Sequence, residues 1–360
     1  LLKTDFKVYR LGPIAAFDSS AHSIRQILMS AYFGRYGIDS YLYLRNMEPT
    51  KGREELSKFV GINFPSNLHI RLSLKHKGLS SLQNFINLVK DLRKNRKFTN
   101  WVFLSKADHV VKLSKLKNLL DFKIVFENHQ DKTFIEAVKK ADVVYTVSPK
   151  VYDKLKGFPK VKLWTYHYPV KDELINFSPK FREKEVYTLG YLGSLNPEKG
   201  IDFLLRAIKN LPVKLKIIGG KGDKLEKARK LAKEYGVIHK VKFTGFVPQN
   251  LIPCELSEVD IMVAPFTDEQ KTIPLKVYEY LAVGIPTIAS DIGPVRIVAK
   301  DYFFYFKPKD EKSFTEAFRE VTENPERTRR VMIESKEYGK QFHWKEVIKR
   351  ILSDLEKVKC

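Results

Sequence analysis

Cysteine is nearly missing from this chain: Cys254 and Cys360 are the two in 360 residues, too few for a disulfide framework. No apolar run approaches the ~18 residues that a membrane-spanning helix needs. The opening residues Leu1–Phe6 hold no apolar signal core, and a start at Leu1 rather than Met leaves room for a short upstream stretch. A reducing cytoplasm is the expected location. His69, His76, His109, His239 and His343 show no metal-ligand spacing. A Gly-x-Ser-x-Gly elbow, a Walker loop and a Cys-x-x-Cys pair are all absent. So are low-complexity stretches and short repeats.

Apolar residues are not scarce. They make up 43% of the chain, with 24 Phe and 17 Tyr, which excludes global disorder. The length exceeds one ordinary core and predicts two domains. Charge is lopsided: 65 Lys and Arg stand against 42 Asp and Glu, net +23. Residues 1–170 hold 30 basic and 14 acidic residues, net +16, which leaves +7 for the rest. Such a field points to an anionic partner: nucleic acid, a phosphate-bearing substrate or an acidic membrane surface. The plainer explanation is a lysine-rich solvated surface of thermophilic type.

Short β-rich runs alternate with helical stretches. Phe6–Leu11 reads as a strand, followed by a loop over Gly12–Ser20 and a helix to Tyr36. Ile38–Leu44, Trp101–Leu104, Lys123–Glu127 and Val143–Val147 are further strands, three of them continuous apolar runs of the buried parallel kind. Leu82, Phe85, Ile86, Val89 and Leu92 are spaced to pack one helix face on a sheet. The basic run Lys90–Lys97 reads as a solvated helix end. Lys171–Glu185 is the linker candidate. Beyond it, strands at Thr188–Leu192, Leu215–Gly219, Val241–Thr244, Ile261–Ala264 and Thr287–Ser290 alternate with helices at Asp202–Asn210, Lys224–Tyr235 and Leu275–Val283. This rhythm means parallel sheets. Two doubly wound α/β domains facing one another are expected, with ligands at the carboxyl ends of the strands.

Two segments carry chemistry. In Gly193–Gly200 a glycine at a strand's end admits a phosphate close to the backbone, and Lys199 adds a point charge. A glycine turn with a surface lysine is also common. In Lys271–Pro286, Pro274 suits the first turn of a helix, whose free amides can hold an anion. Glu279, deeper in that helix, could grip a ribose. The bland alternative is an exposed carboxylate paired with Lys276.

Taken together these segments resemble the retaining nucleotide-sugar glycosyltransferases of family 4. The resemblance rests on Tyr191–Leu195 with Glu198–Asp202, Ile217–Gly220, Phe243–Val247, Ala264–Phe266 and Pro274–Pro286, and it covers residues 188–306. Ala141–Ser148 also looks like the family. It implies the GT-B fold: two facing Rossmann-like domains, 1–170 for the acceptor and 171–340 for the donor, with a last helix in 341–360 crossing back to the first. It further implies that Lys199 meets the donor diphosphate and Glu279 the ribose. Gly193, Ser194, Gly219 and the loop Lys271, Thr272, Ile273, Pro274 and Leu275 would meet phosphates and sugar. Phe246 and Val247 would meet the base, and His129 would stand near the transferred sugar. His129, Lys199 and Glu279 are thus the catalytic candidates. Gly12, Ser19 and His22 represent the first, phosphate- or acceptor-facing loop, though His22 also reads as a surface histidine and His167 as structural. Two positions depart from the family: Lys271 stands where a first glutamate is usual, and Ser194 where an arginine is common. Lys271 is a candidate to restore that charge.

The expected activity is transfer of a sugar from a nucleotide-diphosphate-sugar to a hydroxyl acceptor, glycan or lipid-linked, with retention and with no metal or other cofactor. The charge of the first half suggests an anionic lipid partner and a peripheral place on the inner face of the membrane. Competing classes are a two-domain nucleotide-sugar epimerase and a basic nucleic-acid binder. Against the latter, basic residues do not alternate with exposed aromatics and no nucleic-acid signature is present.

Overall fold

The computed structural model describes residues 5–18, 21–45, 52–73, 77–267 and 272–358. It divides into two compact units, Leu1–Pro169 with Trp344–Cys360, and Val170–His343.

In the first unit the chain runs β1 (Phe6–Ala15), α1 (Ala21–Arg35), β2 (Asp39–Arg45), α2 (Arg53–Val60), β3 (Leu68–Ser73) and α3 (Lys77–Lys94). Next come β4 (Thr99–Leu104), α4 (Ala107–Ser114), α5 (Lys117–Leu120), β5 (Phe122–Asn128) and α6 (Ile135–Lys140). β6 (Val143–Thr146), α7 (Pro149–Leu155) and β7 (Val161–Leu163) follow. The seven strands form one parallel sheet in the order β3-β2-β1-β4-β5-β6-β7. Its central strands are apolar throughout, as burial on both faces demands: Trp101, Val102, Phe103 and Leu104 are fully buried.

Three features differ from the sequence expectation. First, β1 does not stop at Leu11. It continues through Gly12, with an irregular register, until Ala15 pairs with Arg45. That pairing shortens the expected loop. Second, α3 buries only part of the expected face: Leu92 is fully buried and Phe85 and Val89 pack against the core. Leu82 and Ile86 are 57% and 43% exposed, whereas Asn84, Leu88, Asp91 and Asn95 form the buried stripe. Two of the polar members are hydrogen-bonded: Tyr43 donates to Asp91 at 2.8 Å, Arg71 donates to it at 2.9 Å, and Asn95 donates to Tyr9 at 3.0 Å. Buried polar groups on the inner face conceal it from a hydrophobic pattern. Third, β3 and β7 escape a search for apolar runs. The first is a half-exposed edge strand, and the second has three residues.

The second unit runs α8 (Asp172–Ile175), β8 (Tyr187–Leu192), α9 (Ile201–Ala207), β9 (Val213–Ile218), α10 (Asp223–Glu234) and β10 (Val241–Gly245). It continues with α11 (Ile252–Leu256), β11 (Ile261–Ala264), α12 (Leu275–Val283), β12 (Thr287–Ser290) and α13 (Gly293–Ala299). β13 (Phe304–Phe306), α14 (Glu311–Glu323) and α15 (Pro325–Gly339) complete it. The strands form a parallel sheet in the order β10-β9-β8-β11-β12-β13. The proposed linker starts this unit instead of hanging free of it. Lys336 on α15 donates to the carbonyls of Ile175, at 2.9 Å, and Phe177, and Leu174 is buried.

The last helix, α16 (Trp344–Glu356), belongs to the first unit. Val347, Ile348, Ile351, Leu352 and Leu355 enter the core beside α1, each worth roughly 1.5–3 kcal/mol when fully buried. Asp354 on the same helix accepts from the Tyr145 hydroxyl at 3.0 Å.

Candidate functional site

In each sheet the strand order reverses once. In the second unit the reversal lies between β8 and β11, and the carboxyl-end crevice at such a point is where open α/β sheets bind ligands. The loop after β8 opens at Gly193, with φ of 139°. It closes at Gly200, with φ of 77°, where an added Cβ would stand 1.5 Å from the carbonyl oxygen of Pro265. Only glycine lets the two loops touch here.

Helix α12 is fixed against both strands. The buried Tyr280 hydroxyl accepts from the Leu192 amide at 3.0 Å and lies 3.4 Å from the Val263 carbonyl. Pro274 is its N-cap. Lys276, in the first turn, is buried at 8% exposure. Its ammonium sits 3.6 Å from the centroid of the Tyr191 ring and 3.4 Å from the place a Cβ on Gly193 would take. No hydrogen-bond partner for Nζ exists among the described residues. Lys199 reaches the same spot: Lys199 and Lys276 lie 5.4 and 5.5 Å from the centroid of the Phe266 ring. Burial, and then the charge of Lys199, push the Lys276 pKa well below the usual lysine range, with Glu279 opposing. Burial also lowers the pKa of Lys199, against Glu198.

An unpaired buried ammonium costs several kcal/mol. A cation–π contact returns about 2 kcal/mol at most in ordinary cases. Two converging cations with this deficit form an anion site. Lys276 was expected only as a surface partner of Glu279. Its position in the helix first turn, three residues before Glu279, was the available signal.

The other donor-side candidates lie along this sheet edge or beside it. Glu279 is half-buried one turn beyond Lys276. Ser194 follows Gly193 and is exposed. Gly219 donates to the Gly245 carbonyl at 2.9 Å, closing the ends of β9 and β10. Phe246 stands just past β10, 59% exposed, and Val247 is half-buried. Thr272 and Leu275 are half-buried, and Ile273 and Pro274 are buried. Lys271 lies outside the described residues, as does Ser19 of the first unit.

The first unit gathers a charged cluster at the ends of β1 and β5. Arg10 donates to Glu127 at 2.7 Å and also to Gln26. Gln26 donates to Glu127 at 3.0 Å. Arg25 donates to the His167 carbonyl at 2.6 Å and lies 3.3 Å from His129 Nε2. Burial raises the Glu127 pKa, but the Arg10 and Arg25 guanidiniums outweigh it and hold the carboxyl well below its usual range. Burial and Arg25 lower the His129 pKa, so its ring is neutral at pH 7. The same Nε2 lies 3.5 Å from a Glu127 carboxylate oxygen, so it faces a donor on one side and an acceptor on the other. His22 stacks edge-on to His129, centroids 5.5 Å apart, and burial above all, with His129 and Arg25 beside it, pushes its pKa down to about 4. His22 is therefore part of this cluster, not a free surface histidine. His167 is buried within it.

Among the described residues no group of three or more His, Cys, Asp or Glu could hold a metal ion. Nor is any helix among them long and apolar enough to cross a membrane.

Comparison with known proteins gives this geometry a class. A solved structure of HepE from Anabaena, in complex with UDP, matches with a TM-score of 0.74 at 14% identity, covering 98% of this chain and 100% of that one. Sucrose-phosphate synthase from Thermosynechococcus elongatus matches with a TM-score of 0.74 at 16% identity, over 98% and 99% of the two chains. The chain therefore has the GT-B fold of glycosyltransferases. Residues 172–338 match the family model of glycosyl transferases group 1, and the second unit belongs to that family. Among curated relatives, an uncharacterized glycosyltransferase of Methanocaldococcus jannaschii is 27% identical over 195 residues, 52% of this chain and 48% of that protein. A GDP-mannose-dependent alpha-(1-6)-phosphatidylinositol monomannoside mannosyltransferase of Mycolicibacterium smegmatis is 29% identical over 173 residues, 42% and 45% of the two. The matches span about half the length of these curated relatives.

Proposed function

We propose that the protein is a retaining glycosyltransferase that moves a sugar from a nucleotide-diphosphate-sugar to a hydroxyl acceptor, glycan or lipid-linked. The observation that carries this reading is the pair Lys199 and Lys276, two cations converging at the switch point of the second sheet, the Lys276 ammonium buried with no hydrogen-bond partner among the described residues. In this reading the donor diphosphate lies against both lysines and the first turn of α12. Glu279 takes the ribose hydroxyls, and Phe246 and Val247 flank the base. His129, neutral and held by Glu127 and Arg25, offers its ring to the sugar. UDP in HepE and the GDP-mannose dependence of the mycobacterial relative support a nucleoside diphosphate donor.

The reaction then asks little covalent chemistry of the protein. The bond from the sugar's C1 to the diphosphate oxygen breaks, and a bond from C1 to the acceptor oxygen forms on the same face. The acceptor's proton passes to the departing phosphate. Negative charge grows on that phosphate in the transition state, and preorganised cations are worth most there. Lys199 and Lys276 supply this charge, so no metal is needed. The test is release of nucleoside diphosphate from UDP-, GDP- and ADP-sugars with and without a panel of glycan acceptors. Acceptor-dependent release that Lys276→Met abolishes supports the reading. Acceptor-independent conversion of the sugar, with no nucleotide released, would instead identify an epimerase.

A further inference from the structure

The first sheet also has its reversal, between β1 and β4. At that point, on the side covered by α3 and α4, lies a cavity of about 560 Å³, within the ordinary range of small-ligand sites. None of the residues in the proposed donor site or the His129 cluster line it. Its walls are Leu11, Gly12 and Ile14 from β1, Arg45 from the end of β2, Ser80–Phe85 of α3 except Gln83, and Lys106, His109, Lys112 and Leu113 at α4.

Two properties of this wall point to a ligand. Among the described residues Arg45, Lys106, His109 and Lys112 line it, and no Asp or Glu does. Around it also gather buried polar atoms with no hydrogen-bond partner among the described residues: Arg45 Nε, Asn84 Oδ1 and His109 Nδ1 on the lining residues, and Ser105 Oγ just behind Gly12. Four such atoms at one place are unusual, because buried polar groups are nearly always satisfied. Arginine, lysine and a serine hydroxyl suit phosphate oxygens. Asn84 Oδ1 and Ser105 Oγ can accept from hydroxyls. The N-terminus of α4, capped by Lys106 with no side-chain hydrogen bond, adds its dipole in the same sense. Leu11, Ile14, Phe85 and Leu113 supply an apolar floor.

We propose that this cavity binds a phosphate-bearing polyol and that this group belongs to the acceptor. The inference rests on the glycosyltransferase reading for the word acceptor, but the phosphate site stands on its own residues. The exposed stripe Leu79, Leu82 and Ile86 on α3 borders the cavity through Leu82, so the phosphate has two credible sources, a soluble sugar phosphate and a lipid headgroup.

The experiment uses the full chain and two probes, with glucose as the neutral control. Calorimetric titration with glucose 6-phosphate tests the soluble source. Co-sedimentation with phosphatidylglycerol vesicles, against phosphatidylcholine vesicles, tests the lipid source. Both are repeated on the doubly substituted Arg45→Gln, Lys106→Ala chain and on Lys106→Ala alone, an exposed position that the fold does not need. UDP and GDP affinity is measured on every variant. The expected result is binding of at least one phosphate probe, none of glucose, a loss of tenfold or more in the double variant, a smaller loss in Lys106→Ala, and unchanged nucleotide affinity. Binding of neither probe, or equal binding by wild type and the double variant, overturns the inference. Loss of nucleotide binding in the wild type would instead defeat the donor reading and leave the cavity result to stand separately.

Discussion

Lys276 offers the sharpest perturbation because its two expected effects have opposite signs. Replacing it by methionine keeps most of the volume and removes a buried ammonium with no hydrogen-bond partner among the described residues. Substituting buried ionic groups by apolar ones of similar size is often stabilising by about 1–4 kcal/mol. For a unit of this size about 1 kcal/mol moves the melting temperature by roughly 2–4 °C. Lys276→Met should therefore melt several degrees above the wild type when no ligand is present. The same change removes one charged hydrogen-bond donor from the diphosphate, worth about 1.5–3 kcal/mol. Nucleoside diphosphate affinity should fall by roughly tenfold to a hundredfold. A pH series adds a third check. The folded pKa of Lys276 lies well below its unfolded value, so between the two the unfolded chain binds more protons and stability rises with pH. That rise should vanish in Lys276→Met. Diphosphate binding should draw a proton onto Lys276 above its depressed pKa, which calorimetry in buffers of different ionisation enthalpy detects. A variant that melts lower than the wild type and binds nucleotide equally well would refute the reasoning, since both signs would be wrong.

Lys199→Ala should lower turnover more than donor affinity, because charge on the leaving group grows toward the transition state; an equal rate at saturating donor would make it a surface residue, and Lys199→Arg should restore part of the rate. Glu279→Ala should weaken nucleotide binding by about 1.5–3 kcal/mol for each charged hydrogen bond lost, and unchanged affinity in the folded variant removes it from the site. Activity should survive excess EDTA, and its loss with rescue by magnesium or manganese would overturn the metal-free mechanism. Glu127→Gln leaves Arg10 and Arg25 buried without their carboxylate, a change expected to destabilise by about 3–5 kcal/mol and read as a fall in melting temperature. In the wild type the depressed Glu127 pKa contributes stability present above its unfolded value of about 4.3, lost as pH drops through the folded pKa; an acid melt that is the same in Glu127→Gln counts against this.

The second unit was the more legible half, and the reason is local. Its strands at Ile261–Ala264 and Thr287–Ser290, and the helix Leu275–Val283, have the bounds that their apolar runs and flanking turns imply. Its motifs sit on consecutive residues, so the family resemblance singles out Gly193, Lys199 and Glu279 as candidates. What spacing does not reveal is which face of α12 meets β8, and so Lys276 went unassigned. The first unit hides its logic in contacts between distant residues. Arg10, Gln26 and Glu127 lie 16 to 117 positions apart along the chain, and nothing nearby in sequence marks them as partners. On α3 the pattern misled in part. Leu92 is buried and Phe85 and Val89 pack on the core as expected, but Leu82 and Ile86 are exposed, and the inner face carries Asn84, Asp91 and Asn95; the partners of Asp91 and Asn95, namely Tyr43, Arg71 and Tyr9, come from strands.

The two charged clusters also separate structural from ligand-binding charge. Around Glu127 two guanidiniums, an amide and an imidazole converge on one carboxylate, and the guanidiniums hold its pKa down. Such a cluster carries its own carboxylate before any ligand arrives, although Arg10 Nε, Arg10 Nη2 and Glu127 Oε1 have no hydrogen-bond partner among the described residues, and its effect is to hold His129 in place. Around Lys276 the balance fails: a second cation, Lys199, adds repulsion, and Glu279 is the one acid named against it. The missing charge is negative, and its position is at the strand ends where the sheet order reverses. In the proposed reading a diphosphate supplies that charge, and binding removes the deficit. By the presence or absence of a carboxylate at the centre, the cavity of the first unit stands with Lys276 and not with Glu127, since Arg45, Lys106, His109 and Lys112 converge with no acid among the described residues that line it.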